Sequence, residues 1–326
     1  MRTQRLLAAA GAAALALSLG ACSSQEAAGA PESGGDGKGA IAWSFPSQDV
    51  AVWADQLVFM EPIIEEAGYE FLTHDPGFDA QKQVNDWQAW IARGDVKAMG
   101  GFPLDANLVA GVTTEAETAG IPLVGYIIEW PGVAASTLTP AYEGGVELGK
   151  AAGEWIVENY DSENVGVAIL GDFGNPYGQE QARGYRDGLA ETDANVTVAD
   201  LQTLDRNEGH ANMQSQLTAD PDTRVVLSAG ADMGLGARQA IVDSGVSQDD
   251  PEWFIGATDA TDEVLDLIAT GDDIWRTAFV SKTSELAESN AQLLIDAAEG
   301  RSVETTTVPA TEITPDNVDE FRSPTK

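Results

Sequence analysis

Glycines recur in this chain at a fixed interval, and the interval dictates alternating structure. Gly68, Gly94 and Gly120 stand 26 residues apart, and Gly245 and Gly271 repeat the spacing. Each closes an amphipathic stretch and precedes a short apolar run. Glycine just past a helix tolerates the left-handed backbone that ends it, so these positions read as helix stops. The pattern predicts helices over 51–66, 80–93, 106–119, 145–160, 233–243 and 285–299. It predicts buried strands over 40–45, 69–73, 96–99, 122–128, 165–170, 224–227, 254–257 and 276–280. Strand and helix in alternation give parallel sheets covered by helices on both faces. The rhythm pauses at Ala135–Pro140, a strand-like segment, and again near Val280–Ser281. Both pauses are candidate crossings between two α/β units, which would bind a ligand beyond the carboxyl ends of their strands.

The N-terminus reads as an export signal. Arg2 and Arg5 precede a 14-residue apolar stretch, Leu6 to Leu19, shorter than the ~20 residues a spanning helix needs. Leu19-Gly20-Ala21-Cys22 closes it as a lipobox, with small residues before a cysteine. The expectation is a lipoprotein signal over 1–21, diacylglyceryl attachment at Cys22, and an extracytoplasmic protein anchored by lipid to a bacterial cell membrane; the plainer alternative is an ordinary signal with a chance cysteine. Residues 22–39 are small, polar and glycine-rich and read as a flexible tether. Cys22 is the only cysteine, so no intrachain disulfide forms and stability rests on burial.

The chain is strongly acidic, with a formal net charge of −36 over 326 residues. Nucleic acid and anionic lipid surfaces are therefore disfavoured partners. The acids are scattered singly and in pairs, without a calcium-loop spacing. They read as a solvated acidic shell in preference to a cation store, and no metal is expected.

Several short motifs follow one another in a telling order. Ile41-Ala42-Trp43-Ser44-Phe45-Pro46 precedes Trp53, and Asp79-Ala80-Gln81-Lys82-Gln83 leads to Ile91-Ala92-Arg93-Gly94-Asp95-Val96. Phe102-Pro103-Leu104-Asp105 and Ala119-Gly120-Ile121-Pro122-Leu123-Val124 come next, then Ala182-Arg183-Gly184-Tyr185, Met213-Gln214 and Asp232-Met233-Gly234-Leu235-Gly236-Ala237. In this order the chain resembles the type I periplasmic binding proteins, specifically the ribose-binding-protein-like sugar-binding subunits of ABC importers, across about residues 40–315. The resemblance implies two doubly wound parallel-sheet lobes joined by a three-segment hinge that closes on ligand. It implies one lobe of 41–139 plus 281–301 and another of 140–280 plus 302–326.

The family's sugar clamp sets aromatic rings against the sugar and uses Asn, Asp and Arg for the hydroxyls. By that resemblance Trp53 stands at a stacking position, the alternative being burial in the lobe core. Phe45, at a strand's end, has the same two readings. Phe102 replaces the usual asparagine, Gln181 the usual arginine, and Gly230 a frequent asparagine. Asp259 falls one position from the family's aspartate, where helix capping is the competing role. Ile127 and Ile128 stand in place of Asp-Arg, and Glu129 and Trp130 reach the ligand only if the preceding strand carries extra residues; otherwise they lie on the lobe rim. Asn175 and Tyr177 are candidates for the second wall. Fewer hydroxyl-reading groups point to a small neutral carbohydrate, polyol, deoxy sugar or partly apolar ring compound.

An enzyme is the weaker reading, because His74 and His210 lack companions at metal-ligand or triad spacing and the lone cysteine is assigned to lipid. Gly171-Asp172-Phe173-Gly174 lacks the other parts of a kinase site. Related repressors share the fold but begin with a DNA-binding module where this chain has an export signal. A sensor presenting ligand to a membrane receptor stays open. The expectation is a monomeric subunit, without cofactor, that docks on a membrane permease.

Overall fold

The computed structural model describes residues 37–323 except Ser162. The export signal, Cys22 and most of the tether lie outside them. The chain runs β1 (Ala40–Ser44), α1 (Ala51–Glu66), β2 (Glu70–His74), α2 (Ala80–Arg93), β3 (Val96–Gly101), α3 (Ala106–Ala119), β4 (Leu123–Tyr126) and β5 (Ala135–Leu138). It continues through α4 (Ala141–Tyr160), β6 (Val165–Gly171), α5 (Pro176–Ala190), β7 (Val196–Gln202), α6 (Arg206–Ala219), β8 (Thr223–Ser228), α7 (Ala231–Asp243) and β9 (Phe254–Ala257). Last come α8 (Asp262–Thr270), β10 (Trp275–Val280), α9 (Thr283–Ala298), β11 (Thr306–Thr307), β12 (Thr311–Ile313) and a 3-10 turn over Val318–Phe321.

The strands form two six-stranded sheets, ordered β11-β5-β4-β3-β1-β2 and β12-β10-β9-β8-β6-β7. All pairings in the first are parallel. In the second only β12 runs antiparallel, against β10. Each sheet reverses its winding beside its first strand, between β1 and β3 and between β6 and β8. Such a switch point opens a crevice at the carboxyl ends of the strands.

Each sheet is buried on both faces. In lobe one, Ile41, Trp43, Met60 and Leu294 pack one side and Trp87, Trp90, Met99 and Val112 the other. In lobe two, Leu148, Val167, Tyr185 and Leu227 fill one side and Leu235, Ile255, Ile268 and Trp275 the other. The two-lobed parallel architecture is the type I periplasmic-binding-protein fold. Helices α2, α3 and α8 end on Gly94, Gly120 and Gly271, at φ of 78, 72 and 75°. Gly68 and Gly245 adopt left-handed backbone one residue beyond the caps of α1 and α7.

The third crossing departs from the boundary expected at 301/302. The Thr305 hydroxyl accepts from Ser136 N–H (3.2 Å) and Val308 N–H donates to Leu138 O (3.0 Å). These bonds hold β11 beside β5 in the first sheet, so the chain crosses between β11 and β12. The other crossings follow β5 and β10.

Candidate functional site

On lobe one the strand ends at the switch point carry aromatic rings. Phe45 follows β1 and is 1% exposed. Trp53, in the first turn of α1, is half-buried and stacks on Phe45 with centroids 6.0 Å apart and planes 4° from parallel. Phe102, just past β3, meets Trp53 edge-on at 5.9 Å and Tyr126 at 6.0 Å. Tyr126 ends β4 and meets Phe45 at 5.4 Å. Edge-to-face and offset-stacked pairs each add about 0.5–1.5 kcal/mol beyond area burial, so the cluster is a rigid wall. Phe45 is its backing, and Trp53 and Phe102 keep exposed ring area.

Buried amides brace this wall. Gln83, fully buried on α2, donates to Phe102 O (2.9 Å) and Ser44 Oγ (3.2 Å) and accepts from Leu104 N–H (2.9 Å). Gln56 donates to the Tyr126 hydroxyl (3.0 Å) and accepts from Asn290 (3.1 Å). Burial pushes the Tyr126 phenol up to about 12, the Gln56 bond opposing it.

Lobe two answers with polar side chains. Gln181, 5% exposed, donates to Thr258 Oγ1 at 2.8 Å, and the Tyr185 hydroxyl shares that oxygen at 2.6 Å. Asp259 accepts from Ala231 N–H (3.0 Å) and so caps α7. Its carboxylate is reachable by solvent yet flanked by protein. That desolvation raises its pKa, while the Ala231 and Ala260 N–H groups pull it down and Asp232 adds repulsion. The Tyr177 ring is 44% exposed and its hydroxyl bonds Thr139, at the first crossing, at 3.1 Å.

Two cavities lie where the lobes face one another. The larger, about 570 Å³, has Val52 and Asp55 of α1 on one side and Arg206, Asp232, Asp259 and Glu263 on the other. The smaller, about 140 Å³, is lined by Val52, Tyr177, Gln181, Thr258, Asp259 and Phe279 among others. Val52 borders both and precedes Trp53. Arg206 bridges Asp232 (2.9 Å) and Glu263 (2.6 Å), tying the starts of α6, α7 and α8 together. Ser323, near the end of the described chain, crosses to lobe one and donates to Asp55 (2.8 Å).

Three sequence candidates fall elsewhere. Ile127 adopts φ 63°, its N–H bonded to Thr137 O (2.7 Å), and turns the chain back immediately after Tyr126. The strand carries no extra residues, so Glu129 and Trp130 fold away from the wall. Trp130 is 7% exposed beside Trp87 and donates its indole N–H to Thr113 (3.0 Å), a place in the lobe-one core. Glu129 accepts from Thr305 Oγ1 (2.6 Å) next to β5. Asn175 is the cap of α5, accepting from Gly178 N–H (2.8 Å) and donating to Asp172 (2.6 Å). Phe45, Trp53 and Phe102 come together, as do Tyr177, Gln181 and Asp259. Sequence reasoning passed over Tyr126, Thr258 and Phe78. Tyr126 lies within the strand expected over 122–128, and Thr258 stands beside the chosen aspartate.

The histidines lie apart from both walls: His74 faces Asp86 (3.1 Å) and His210 faces Asp243 (3.0 Å). Among the described residues no three metal-ligating side chains gather, and no helix is long and apolar enough to cross a membrane.

Two open parallel sheets, each with a switch point, are the scaffold on which these aromatic and polar walls stand. The chain belongs to the periplasmic binding protein domain family, which matches residues 41–302. It is similar to the ribose import binding protein RbsB of Escherichia coli (strain K12), 25% identical over 202 residues, 62% of this chain and 67% of that protein. It is similar to the D-apiose import binding protein of Actinobacillus succinogenes, 27% identical over 257 residues, 78% of this chain and 80% of that one. An ABC transporter solute-binding protein from Bacillus halodurans C-125, solved with bound myo-inositol, shares the fold at a TM-score of 0.65 and 22% identity, covering 88% of this chain and 98% of its own. Family membership makes this an extracytoplasmic, periplasmic-type solute-binding protein and not an enzyme.

Proposed function

We propose that the chain is the solute-binding subunit of an ABC importer and takes a small neutral carbohydrate or polyol between its lobes. The observation that carries this reading is the aromatic wall at the lobe-one switch point, beside cavities bordered by Gln181 and Asp259 of lobe two. Rings cover the apolar face of a polyol while the polar groups read its hydroxyls. The names of the relatives, which import ribose and D-apiose, and the myo-inositol in the Bacillus structure support the ligand class. Ligand touching both walls favours the closed arrangement, because it binds that state more tightly. The closed monomer then docks on its permease, and the lipobox cysteine anchors it to the membrane.

A calorimetric panel of pentoses, hexoses and cyclitols tests the reading. Binding of at least one member is expected; a protein stabilised only by large anionic compounds overturns it. Asp259 gives a sharper check. Its carboxyl is held above the usual aspartate range, so it protonates earlier as pH falls. A carboxylate that accepts a ligand hydroxyl loses that role on protonation, and wild-type affinity declines on acidification from a higher pH than an ordinary aspartate would give. Asp259→Asn is expected to bind about tenfold more weakly at neutral pH and to show a flatter pH profile by calorimetry. Identical profiles for the two proteins would remove Asp259 from the site.

A further inference from the structure

The loop between β2 and α2 holds an aromatic side chain in a conformation that only a dense set of bonds explains. Phe78 has φ of 61° and is 58% exposed. Non-glycine residues enter the left-handed region at a cost and stay there when their surroundings over-determine it. Here Asp75 Oδ1 accepts from Gln48 N–H (3.1 Å) and Gly77 N–H (3.0 Å), Phe78 N–H donates to Pro46 O (2.9 Å), and Asp79 caps α2 through Lys82 N–H (2.9 Å). The loop after β2 is thereby tied to the loop after β1. The bonds fix the Phe78 ring in water rather than in the core, with its centroid 6.1 Å from Trp53.

We propose that Phe78 is a ligand-contacting residue that extends the lobe-one aromatic wall outward, and that the solute is a polyhydroxy compound carrying an apolar substituent. This rests on the solute-binding reading above. The polar side chains bracing that wall already have partners: Gln83 uses its donors and its acceptor, Gln56 lies between Tyr126 and Asn290, and Asp55 accepts from Ser323. Lobe one therefore offers mainly ring faces. In lobe two Gln181 is engaged by Thr258 and Arg206 by Asp232 and Glu263, so hydroxyls fall chiefly to the solvent-reachable carboxylate of Asp259, which borders both cavities. A fully hydroxylated ring can stack its C–H face on Trp53, but any hydroxyl at the edge nearest Phe78 meets a ring and no hydrogen-bonding partner, a penalty. A methyl ether, alkyl glycoside or deoxy carbon instead places carbon there, worth about fourfold in affinity per methyl group buried. The accessible face of the wall is made by Trp53 and Phe102, with Phe45 and Tyr126 buried behind them, and Phe78 adds a third accessible ring beside Trp53.

Matched pairs test it: a free pentose with its methyl glycoside, and a cyclitol with its mono-O-methyl ether, each titrated calorimetrically into wild type and Phe78→Ala. The alkylated member is expected to bind wild type about four- to tenfold more tightly. Phe78→Ala should erase that preference and leave the affinity of the parent within about twofold. Phe78→Gly controls for folding, since it relieves the left-handed strain and should melt no lower than wild type while losing the same preference. Equal affinities of wild type for both members, or equal weakening of both by Phe78→Ala, overturns the assignment of Phe78 and leaves the importer reading standing. Failure of wild type to bind any member of either pair overturns the carbohydrate reading and this inference with it.

Discussion

Gly149→Val is expected to cost lobe two more than about 4 kcal/mol and to lower its melting temperature by roughly 8–16 °C. Helices α4 and α5 touch backbone to backbone. A Cβ on Gly149 would lie 2.2 Å from Tyr185 O, and one on Gly188 would lie 2.1 Å from Val146 O. No flexible side chain is available to move aside, so the helices must separate. The damage reaches the candidate site through α5, since Tyr185 donates to Ser228 O (3.1 Å) and Gln181 to Thr258. A weaker solute affinity should therefore accompany the lower melting point. Gly111→Ala is the control. That glycine lies within α3 with nothing inside 4 Å of its would-be Cβ, so alanine should stabilise by about 0.5–1 kcal/mol. Calorimetric scans that rank the two substitutions the other way would show that α4 and α5 tolerate separation.

Much of this architecture was legible because it rests on local chemistry. The left-handed glycines that end α2, α3 and α8 are visible as residues and need no tertiary context. Lobe one, where the buried strands β1, β3 and β4 alternate with helices, could be read almost element by element. Its edge strand β2 has no fully buried residue, but the largely apolar Tyr69-Glu70-Phe71-Leu72 and the helix stop before it betray it. Helix α6 could not. It buries only Gly209, Met213 and Gln216, and a helix without an apolar stripe gives no period to detect. Strand β7 is an edge strand with no fully buried residue, so it lacks the continuous apolar run of a central strand. The site divided along the same line. Trp53 and Phe102 are singled out by the family resemblance, and each follows a strand whose apolar run is visible in the sequence. The two readings of Trp130 stay unresolved at the level of sequence because nothing in the letters Tyr126-Ile127-Ile128 announces that Ile127 turns left-handed. Phe78 was passed over for a related reason, since its exposure depends on bonds between two loops far apart in sequence.

Trp53→Ala should have the largest effect on solute binding, about thirtyfold or more in Kd, with a stability cost of only about 1–2 kcal/mol for a half-buried ring. Phe45 stacks beneath Trp53, Phe102 meets its edge, and Phe78 lies on its outer side. Removing the indole thus opens the middle of the wall while the core below it, centred on Trp43 and Met60, stays filled. Trp53→Phe keeps an aromatic face and should lose less than about fivefold. Fluorescence separates a binding role from a structural one. Of the eight tryptophans, only Trp53 and Trp155 are not buried, and Trp155 packs against Tyr160 and Phe254, Tyr160 closing α4 and Phe254 opening β9. A solute-induced change in emission should therefore come from Trp53 and vanish in Trp53→Phe even where binding persists. If the emission change survives that substitution and the affinity of Trp53→Ala matches wild type, the solute does not rest on this wall, and the cavities bordered by Asp259 and Arg206 would have to hold it without aromatic support.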